Sequence, residues 1–368
     1  MNLELYLIEV IKGKRKGFLA SFLRIILRML SWVYQFVVLC RNWAFDHGVL
    51  RRYMPPVPMV ISIGNIVAGG TGKTPLTLLI AQEFYPDFKI AVLSRGYRSQ
   101  AEKLDNPIIL SQGNGPIHPA SYCGDEPYLI AEKLPKAFVI VGKDRHKSSD
   151  FAAKAGAQLI LLDDGMQHRH LARDVDVVVM DMADPFGQGH FLPRGMLRES
   201  LSSLSRASLI VLNHVNSQEL FEETKKIIAT HTTAPVVGTK MEVDSVCNFV
   251  GNLATALKNK KVGIFCGIAQ PDNFKQTVME EEAVVVASHI VPDHMPFDWK
   301  LFQKFVGESE AAGAEMLVCT EKDKVKLPPA MKCSLPIVWL KMKLTIVAGE
   351  TEWKTFIRKT KADIIRQM

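Results

Sequence analysis

Between Pro58 and Leu79 the chain reads PMVISIGNIVAGGTGKTPLTLL. Few folds accept such a stretch. Met59 to Ile63 is an apolar run of the length of a strand buried on both faces. The chain then breaks at Gly64-Asn65, and a helical apolar period resumes at Leu76, Leu79 and Ile80. Strand, glycine-rich loop, Lys-Thr and helix is the layout of a phosphate-binding P-loop. Gly69, Gly70, Thr71 and Gly72 let backbone N–H groups curl around an anion, because no Cβ of a glycine blocks the approach. The helix that follows aims its unpaired N–H groups at the same anion. Lys73 is placed to reach the β- and γ-phosphates of a nucleotide, and the Thr74 hydroxyl to ligate Mg²⁺. Pro75 suits the first helical turn, where a missing N–H costs nothing. Val67 stands where the strict pattern has its first glycine.

The 368 residues suffice for two domains with sizeable cores. Cys40, Cys123, Cys247, Cys266, Cys319 and Cys333 show neither CxxC nor zinc spacing, so reduced thiols in a cytosolic compartment are expected. The net charge of +7 is concentrated near the amino terminus. Residues 1–52 carry nine basic side chains against three acidic ones, and the rest is close to neutral. A neutral body with a basic arm points to an anionic membrane surface met by the arm, and to no nucleic acid.

Residues 1–57 form that arm. Phe18 to Cys40 is long enough to cross a bilayer. Ser21, Arg24, Arg28, Ser31 and Gln35, however, recur every three or four residues and line one stripe of a helix. Two arginines deep in a spanning helix would each cost at least about 2.5 kcal/mol. A helix lying in the headgroup layer, arginines up and apolar face down, avoids that cost. The basic run Lys12 to Lys16 adds attraction to anionic lipids. Pro55, Pro56 and Pro58 close the arm.

In residues 58–235, apolar runs at 59–64, 88–94, 137–141, 157–162, 175–180 and 207–212 alternate with helical segments at 73–85, 124–134, 144–156, 197–206 and 217–230. That pattern predicts an α/β fold with a parallel sheet covered on both faces. Functional residues in such a sheet sit at the carboxyl ends of strands. Asp163-Asp164-Gly165 follows LILL directly, the place of the acidic Mg²⁺ partner of a P-loop. Gln167, His168, Arg169 and His170 follow without the spacing of a zinc site. Arg95 and Tyr97 lie just after the second run. Asp125 and Glu126 open a helix, with Asp125 in N-cap position. Arg198 and Glu199 lie where a loop enters a helix and could contact substrate or nucleotide.

The pattern restarts in residues 236–345 as a smaller α/β unit, with runs at 261–269, 283–291 and 314–319. Thr320-Glu321-Lys322-Asp323 has Glu321 where a guanine-reading motif needs Lys. Asp293-His294 lies in a special turn after its strand, where a structural and a catalytic His are both open. Residues 346–368 read as an amphipathic helix packing back on the body.

Taken in order, GNIVAGGTGKTP, SRGY, GDEP, DDGMQHR, LPRGMLRESL, PDHMPF and TEKD resemble the tetraacyldisaccharide 4'-kinases of lipid A biosynthesis over nearly the whole length. Val67 matches that family's own glycine-rich loop. The resemblance implies a P-loop kinase domain, a second smaller α/β domain, and a membrane helix on the cytoplasmic face of the bacterial inner membrane. It implies ATP- and Mg²⁺-dependent phosphorylation of the 4'-hydroxyl of a tetraacylated glucosamine disaccharide 1-phosphate, the lipid A precursor. It makes Lys73 and Thr74 holders of phosphate and metal, with Asp163 and Asp164 on the metal side and Glu126 assisting. It makes Asp125 and His294 the dyad that activates the sugar hydroxyl. Met166, Arg194, Asn213-His214 and Met295 depart from the family's usual residues. A membrane-docked P-loop switch ATPase that binds protein partners is the alternative; partitioning-type switches carry an extra loop Lys where this chain has Val67.

Overall fold

Strand β1 (Met59–Gly64) is buried along its entire length, as its unbroken apolar run requires. Each fully buried Ile in it, Ile61 and Ile63, contributes about 1.5–3 kcal/mol relative to exposure. The computed structural model describes residues 6, 9–11, 15–248, 256–268, 271–292, 297–328 and 333–368. They fall into two compact units, Met1–Leu93 with Arg145–Lys240 and Ile346–Met368, and Ser94–Asp144 with Met241–Thr345. The sequence pattern had run 58–235 as one domain.

The first unit opens with helix α1 (Phe18–Asp46), then β1, α2 (Lys73–Phe84) and β2 (Ile90–Ser94). The second unit takes up β3 (Ile108–Gln112), α3 (Ala120–Cys123), α4 (Asp125–Lys133) and β4 (Phe138–Val141). The chain returns to the first unit with α5 (Arg145–Lys154), β5 (Leu159–Asp163), β6 (Val175–Asp181), β7 (Leu209–Asn213) and α6 (Gln218–Ala229). Strand β8 (Val236–Asn248) leads out of it. The second unit continues with β9 (Lys261–Cys266), α7 (Pro271–Glu280), β10 (Val284–Ile290), α8 (Trp299–Ala311), β11 (Met316–Thr320) and α9 (Glu321–Lys324). Strand β12 (Ile337–Ala348) leads back to α10 (Glu350–Gln367).

In the first unit the strand order is β8-β7-β6-β1-β5-β2, and its pairs are parallel. The chain steps over β1 in passing from β5 to β6, so the carboxyl ends of β1, β5 and β6 lie side by side where an α/β sheet binds ligands. Helix α10 buries Trp353, Phe356, Ile357, Thr360 and Ile364, and its Trp353 Nε1 donates to Glu83 Oε1 of α2 at 3.2 Å. The second unit has parallel strands β10-β9-β11-β12 and an antiparallel β3–β4 pair. All six cysteines are free thiols.

Helix α1 runs six residues beyond Cys40 because the body holds its end. Asn42 Nδ2 donates to Glu199 Oε2 at 2.9 Å, and Arg169 Nη2 to Asp46 Oδ1 at 2.5 Å. Contrary to the expectation from sequence, the polar stripe does not stay free for headgroups along its whole length. Ser31 is buried, donating to the Phe191 carbonyl at 2.8 Å, and Val38, Asn42 and Phe45 continue that docked face. The apolar face is the exposed one: Phe18, Phe22, Ile25, Met29, Trp32 and Phe36 all lie more than half open. By length and composition α1 can cross a membrane, with 11% of its most apolar window buried.

Candidate active site

The glycine-rich loop leaves β1 and is held on three sides. Asn65 Nδ2 donates to Thr71 Oγ1 at 2.9 Å across the loop. Asn213, at the end of β7, donates to the Thr71 carbonyl at 3.2 Å. The segment 196–198 lies along the loop, with Ala68 N donating to Met196 O and Arg198 N to Ile66 O, both at 2.7 Å. Gly72 caps α2 with φ of 88°, and a Cβ there would strike the Asn213 amide. Gly69 and Gly70 are exposed, Thr71 is buried, and Lys73 and Thr74 begin α2 half-buried. Gly64 packs on the acidic turn so closely that a Cβ would lie 2.5 Å from Met166 Cβ.

Asp163 ends β5 and is buried; Asp164 follows in the left-handed region, with φ of 53°. That backbone turns its carboxylate to Lys73, 3.6 Å from Nζ. Arg198 Nη1 bonds both Asp164 oxygens at 3.1 Å. Burial pushes the Asp164 carboxyl up, but Lys73 and Arg198 outweigh it and hold it below the usual range. Arg198 also donates to Gln167 Oε1 at 3.3 Å, and Gln167 Nε2 to Asn65 O at 2.8 Å and Glu199 Oε1 at 3.2 Å. Glu199 is completely buried, taking Arg206 at 2.8 Å beside Asn42. His168 is half-buried, and its carbonyl accepts from Arg173 at 2.6 Å. Lys73, Asp164, Gln167, Arg198 and Glu199 therefore form one connected network in the first unit.

The expected helix at 197–206 is instead extended to Ser200, with 3₁₀ turns at Leu201–Arg206. Leu197 pairs with Val67 and Phe191 in isolated bridges, which keep the backbone out of a helix. Asn213 and Asn65 were missed as loop supports; a polar residue directly after LIVL was the available signal for Asn213.

In the second unit, Gly124 with φ of 100° caps α4, and Asp125 is the first helical residue rather than the cap. Lys326 Nζ lies 3.5 Å from Asp125 Oδ2 and 3.2 Å from Asp323 Oδ1. Lys322 pairs with Glu126 at 3.3 Å. Asp323 is fixed in turn by Thr320 Oγ1 at 2.6 Å and Gly267 N at 3.0 Å. Arg95 pairs with Glu102 at 2.7 Å, and Tyr97 is exposed under the Arg98 guanidinium. His294 lies outside the described residues. Among the described residues no three His, Cys, Asp or Glu side chains gather as a metal cluster. An all-oxygen set of one or two carboxylates and a hydroxyl suits Mg²⁺ shared with substrate phosphates.

A parallel sheet with this loop between a central strand and its helix, and a lysine facing an acidic strand end, defines a P-loop kinase-like protein. The model of the tetraacyldisaccharide-1-P 4'-kinase family matches residues 23–361. The chain belongs to that family. Relatives named tetraacyldisaccharide 4'-kinase include one from Halothermothrix orenii, 33% identical over 88% of each chain. Another, from Chlamydia pneumoniae, is 34% identical over 88% of this chain and 87% of its own. The structure of LpxK from Aquifex aeolicus in complex with ATP is similar with a TM-score of 0.73 and 29% identity, covering 92% of this chain and 99% of that one. The switch-ATPase alternative is not favoured.

Proposed function

We propose that this protein transfers the γ-phosphoryl group of ATP to the 4'-hydroxyl of a tetraacylated glucosamine disaccharide 1-phosphate in lipid A biosynthesis. The carrying observation is Lys73 facing Asp164 at the start of α2, in a chain of this family. The ATP complex of the Aquifex relative supports ATP as donor. Backbone N–H groups of Gly69 to Thr74 cradle the phosphates, and Lys73 neutralises the oxygens whose charge grows during transfer. Thr74, Asp163 and Asp164, with Glu126 assisting, are the residues that would hold Mg²⁺. When bound, that ion supplies further neutralisation of phosphate charge.

Asp125 and His294 are proposed to orient the sugar hydroxyl and take its proton, since an alcohol is a poor nucleophile until deprotonated. Arg95, Tyr97, Gln167, His168 and Arg198 are proposed acceptor contacts, and buried Glu199 positions Gln167. The exposed apolar face of α1 supports membrane attachment, and the cytoplasmic face of the inner membrane is the proposed site because ATP is the phosphate donor. Drawing an acyl chain out of the bilayer costs about 0.8 kcal/mol per CH₂, so a kinase that docks on the membrane avoids extracting four chains.

The experiment is transfer from γ-labelled ATP to the acceptor in mixed micelles. Label in the lipid, falling by orders of magnitude in Asp125→Ala and His294→Ala, is the expected result. ATP hydrolysis without labelled lipid would overturn the kinase reading. Labelling that survives both substitutions would remove the dyad.

A further inference from the structure

The connection from β5 to β6 and the segment before β7 border a cavity of about 270 Å³ in the first unit. It lies at the starts of β6 and β7, whereas the phosphate-binding loop leaves the carboxyl end of β1. Four arginines and three aspartates line it. Most of these groups are committed. Arg169, 2% exposed, donates to the Asn42 carbonyl at 3.1 Å and to Asp46 at 2.5 Å. Asp174 accepts from Val60 N at 2.8 Å. Arg52, half-open at the rim, donates to the Phe45 carbonyl at 3.2 Å.

Three polar atoms are not committed. Among the described residues six buried side-chain nitrogens and oxygens lack a hydrogen-bond partner, and three of the six belong to this one lining. They are Arg173 Nε, Arg206 Nε and Asp176 Oδ1. Arg173 uses Nη2 on the carbonyls of Gly165 and His168, at 2.9 and 2.6 Å, and Arg206 uses its own on Glu199 at 2.8 Å. Asp176 is 7% exposed, and its backbone is fixed between Ser62 of β1 and Ser208 N, so the carboxylate stays inside. A buried polar group without a partner costs about 1–3 kcal/mol, and more when charged. Three in one cavity call for a shared ligand.

The three atoms specify its chemistry. A guanidinium only donates and an ionised carboxylate only accepts, so the ligand must offer two acceptors and one donor. Four cations against three carboxylates favour an anion. Burial, then Arg206, Arg169 and Arg52, hold the Arg173 guanidinium below its ordinary value, with Asp176 opposing them; an anion among these arginines relieves that repulsion. Hydrogen phosphate meets every condition. Its oxygens accept from both Nε groups, and its hydroxyl donates to Asp176. Sulfate has the same shape and charge but no hydroxyl, and so sets an oxygen against the carboxylate.

We propose that the cavity walled by Arg173, Asp176 and Arg206 binds inorganic hydrogen phosphate, at a site separate from the phosphate-binding loop. The site stands independently of the kinase reading. Arg206 joins it to the Lys73–Asp164 network, because Arg206 Nη2 holds Glu199 and Glu199 takes Gln167 at 3.2 Å. A phosphate in the cavity fixes Arg206 through the nitrogen that Glu199 leaves free.

The test is calorimetric titration of the full chain with sodium phosphate, sodium sulfate and methyl phosphate at slightly alkaline pH, where all three are dianions. The loop is filled beforehand with a non-hydrolysable ATP analogue. Wild type is expected to bind phosphate roughly tenfold or more tighter than sulfate, the scale of one charge-assisted bond. Methyl phosphate, which has no hydroxyl at that pH, should follow sulfate; binding as tight as that of phosphate would assign the cavity to monoester headgroups and overturn the inorganic ligand. Asp176→Asn turns the lone acceptor into a group that can donate, so phosphate loses its advantage over sulfate. Arg173→Lys keeps the charge but removes Nε, and should weaken phosphate by about tenfold. No heat with phosphate, equal affinities for phosphate and sulfate in wild type, or an unchanged affinity in Arg173→Lys overturns the site. Phosphate binding that disappears in Lys73→Met belongs to the loop and overturns it as well. The wild-type and Arg173→Lys titrations decide the matter even where Asp176→Asn fails to fold.

Discussion

Replacing Glu199 with Ala separates anchoring from substrate contact. The side chain is fully buried, and its oxygens take Asn42 at 2.9 Å, Arg206 at 2.8 Å and Gln167 at 3.2 Å, with Arg41 at 3.6 Å. Removing it strands Arg206, whose Nε has no hydrogen-bond partner among the described residues. Breaking a buried pair from one side costs about 3–5 kcal/mol. With a urea m-value of about 3 kcal/mol/M, the unfolding midpoint falls by about 1–1.7 M. Glu199→Gln keeps the shape and lowers the midpoint less.

The pH dependence has a definite sign. Burial raises the Glu199 carboxyl, but Arg206, then Ser203 and Arg41, outweigh it and hold it below the ordinary glutamate range. Its stabilisation is complete above the unfolded pKa and is lost as pH falls through the lower folded value. The gap between wild type and Glu199→Ala therefore closes at acid pH. A midpoint that moves less than about 0.3 M, with transfer abolished, would refute the anchoring role and make Glu199 a substrate contact.

Gly72→Ala combines a left-handed φ with a clash on Asn213; strain of about 1–2 kcal/mol and a lost Thr71 bond should weaken ATP binding about tenfold or more by calorimetry. Gly64→Ala meets Met166 Cβ at 2.5 Å and its backbone N at 2.7 Å, so overpacking should cost about 1–3 kcal/mol in urea unfolding. Lys73→Met should lower labelled lipid by about 10²-fold or more while far-ultraviolet dichroism is unchanged. Phe22→Ser and Phe36→Ser remove exposed side chains, and each should weaken sedimentation with lipid vesicles about tenfold without shifting the unfolding midpoint.

Strands β1, β2, β5, β6 and β7 of the phosphate-binding sheet were readable to within about two residues, because strands buried on both faces leave continuous apolar runs. Strand β8, half-open beyond Thr239, leaves no such run and was missed. The loop was readable because its glycines answer to local geometry. What escaped depended on distant partners. Strand β3 pairs antiparallel at an edge and is only partly buried, so Ile108–Gln112 carries no run of that kind. Segment 94–144 interrupts the first unit in sequence, and its grouping with Met241–Thr345 has no local mark. The stripe on α1 was seen, but which side of it faces the body was decided by Phe191 and Glu199, far along the chain. Arg198 and Glu199 were picked out as a pair; that one holds Asp164 and the other is sealed in the interior follows from the strand-like course of Leu197.

The contacts of Ser31, Tyr34 and Asn42 with the loop at 191–199 tie the rotational phase of α1 to the phosphate site. One residue inserted between Tyr34 and Asn42 would turn the aromatic face ahead of it by about 100°. A four-residue insertion nearly restores the phase but lengthens the helix by about 6 Å. The two insertions thus separate angle from height: the first should misdirect the lipid-facing side chains, and the second should shift the depth at which the acceptor sugar is offered.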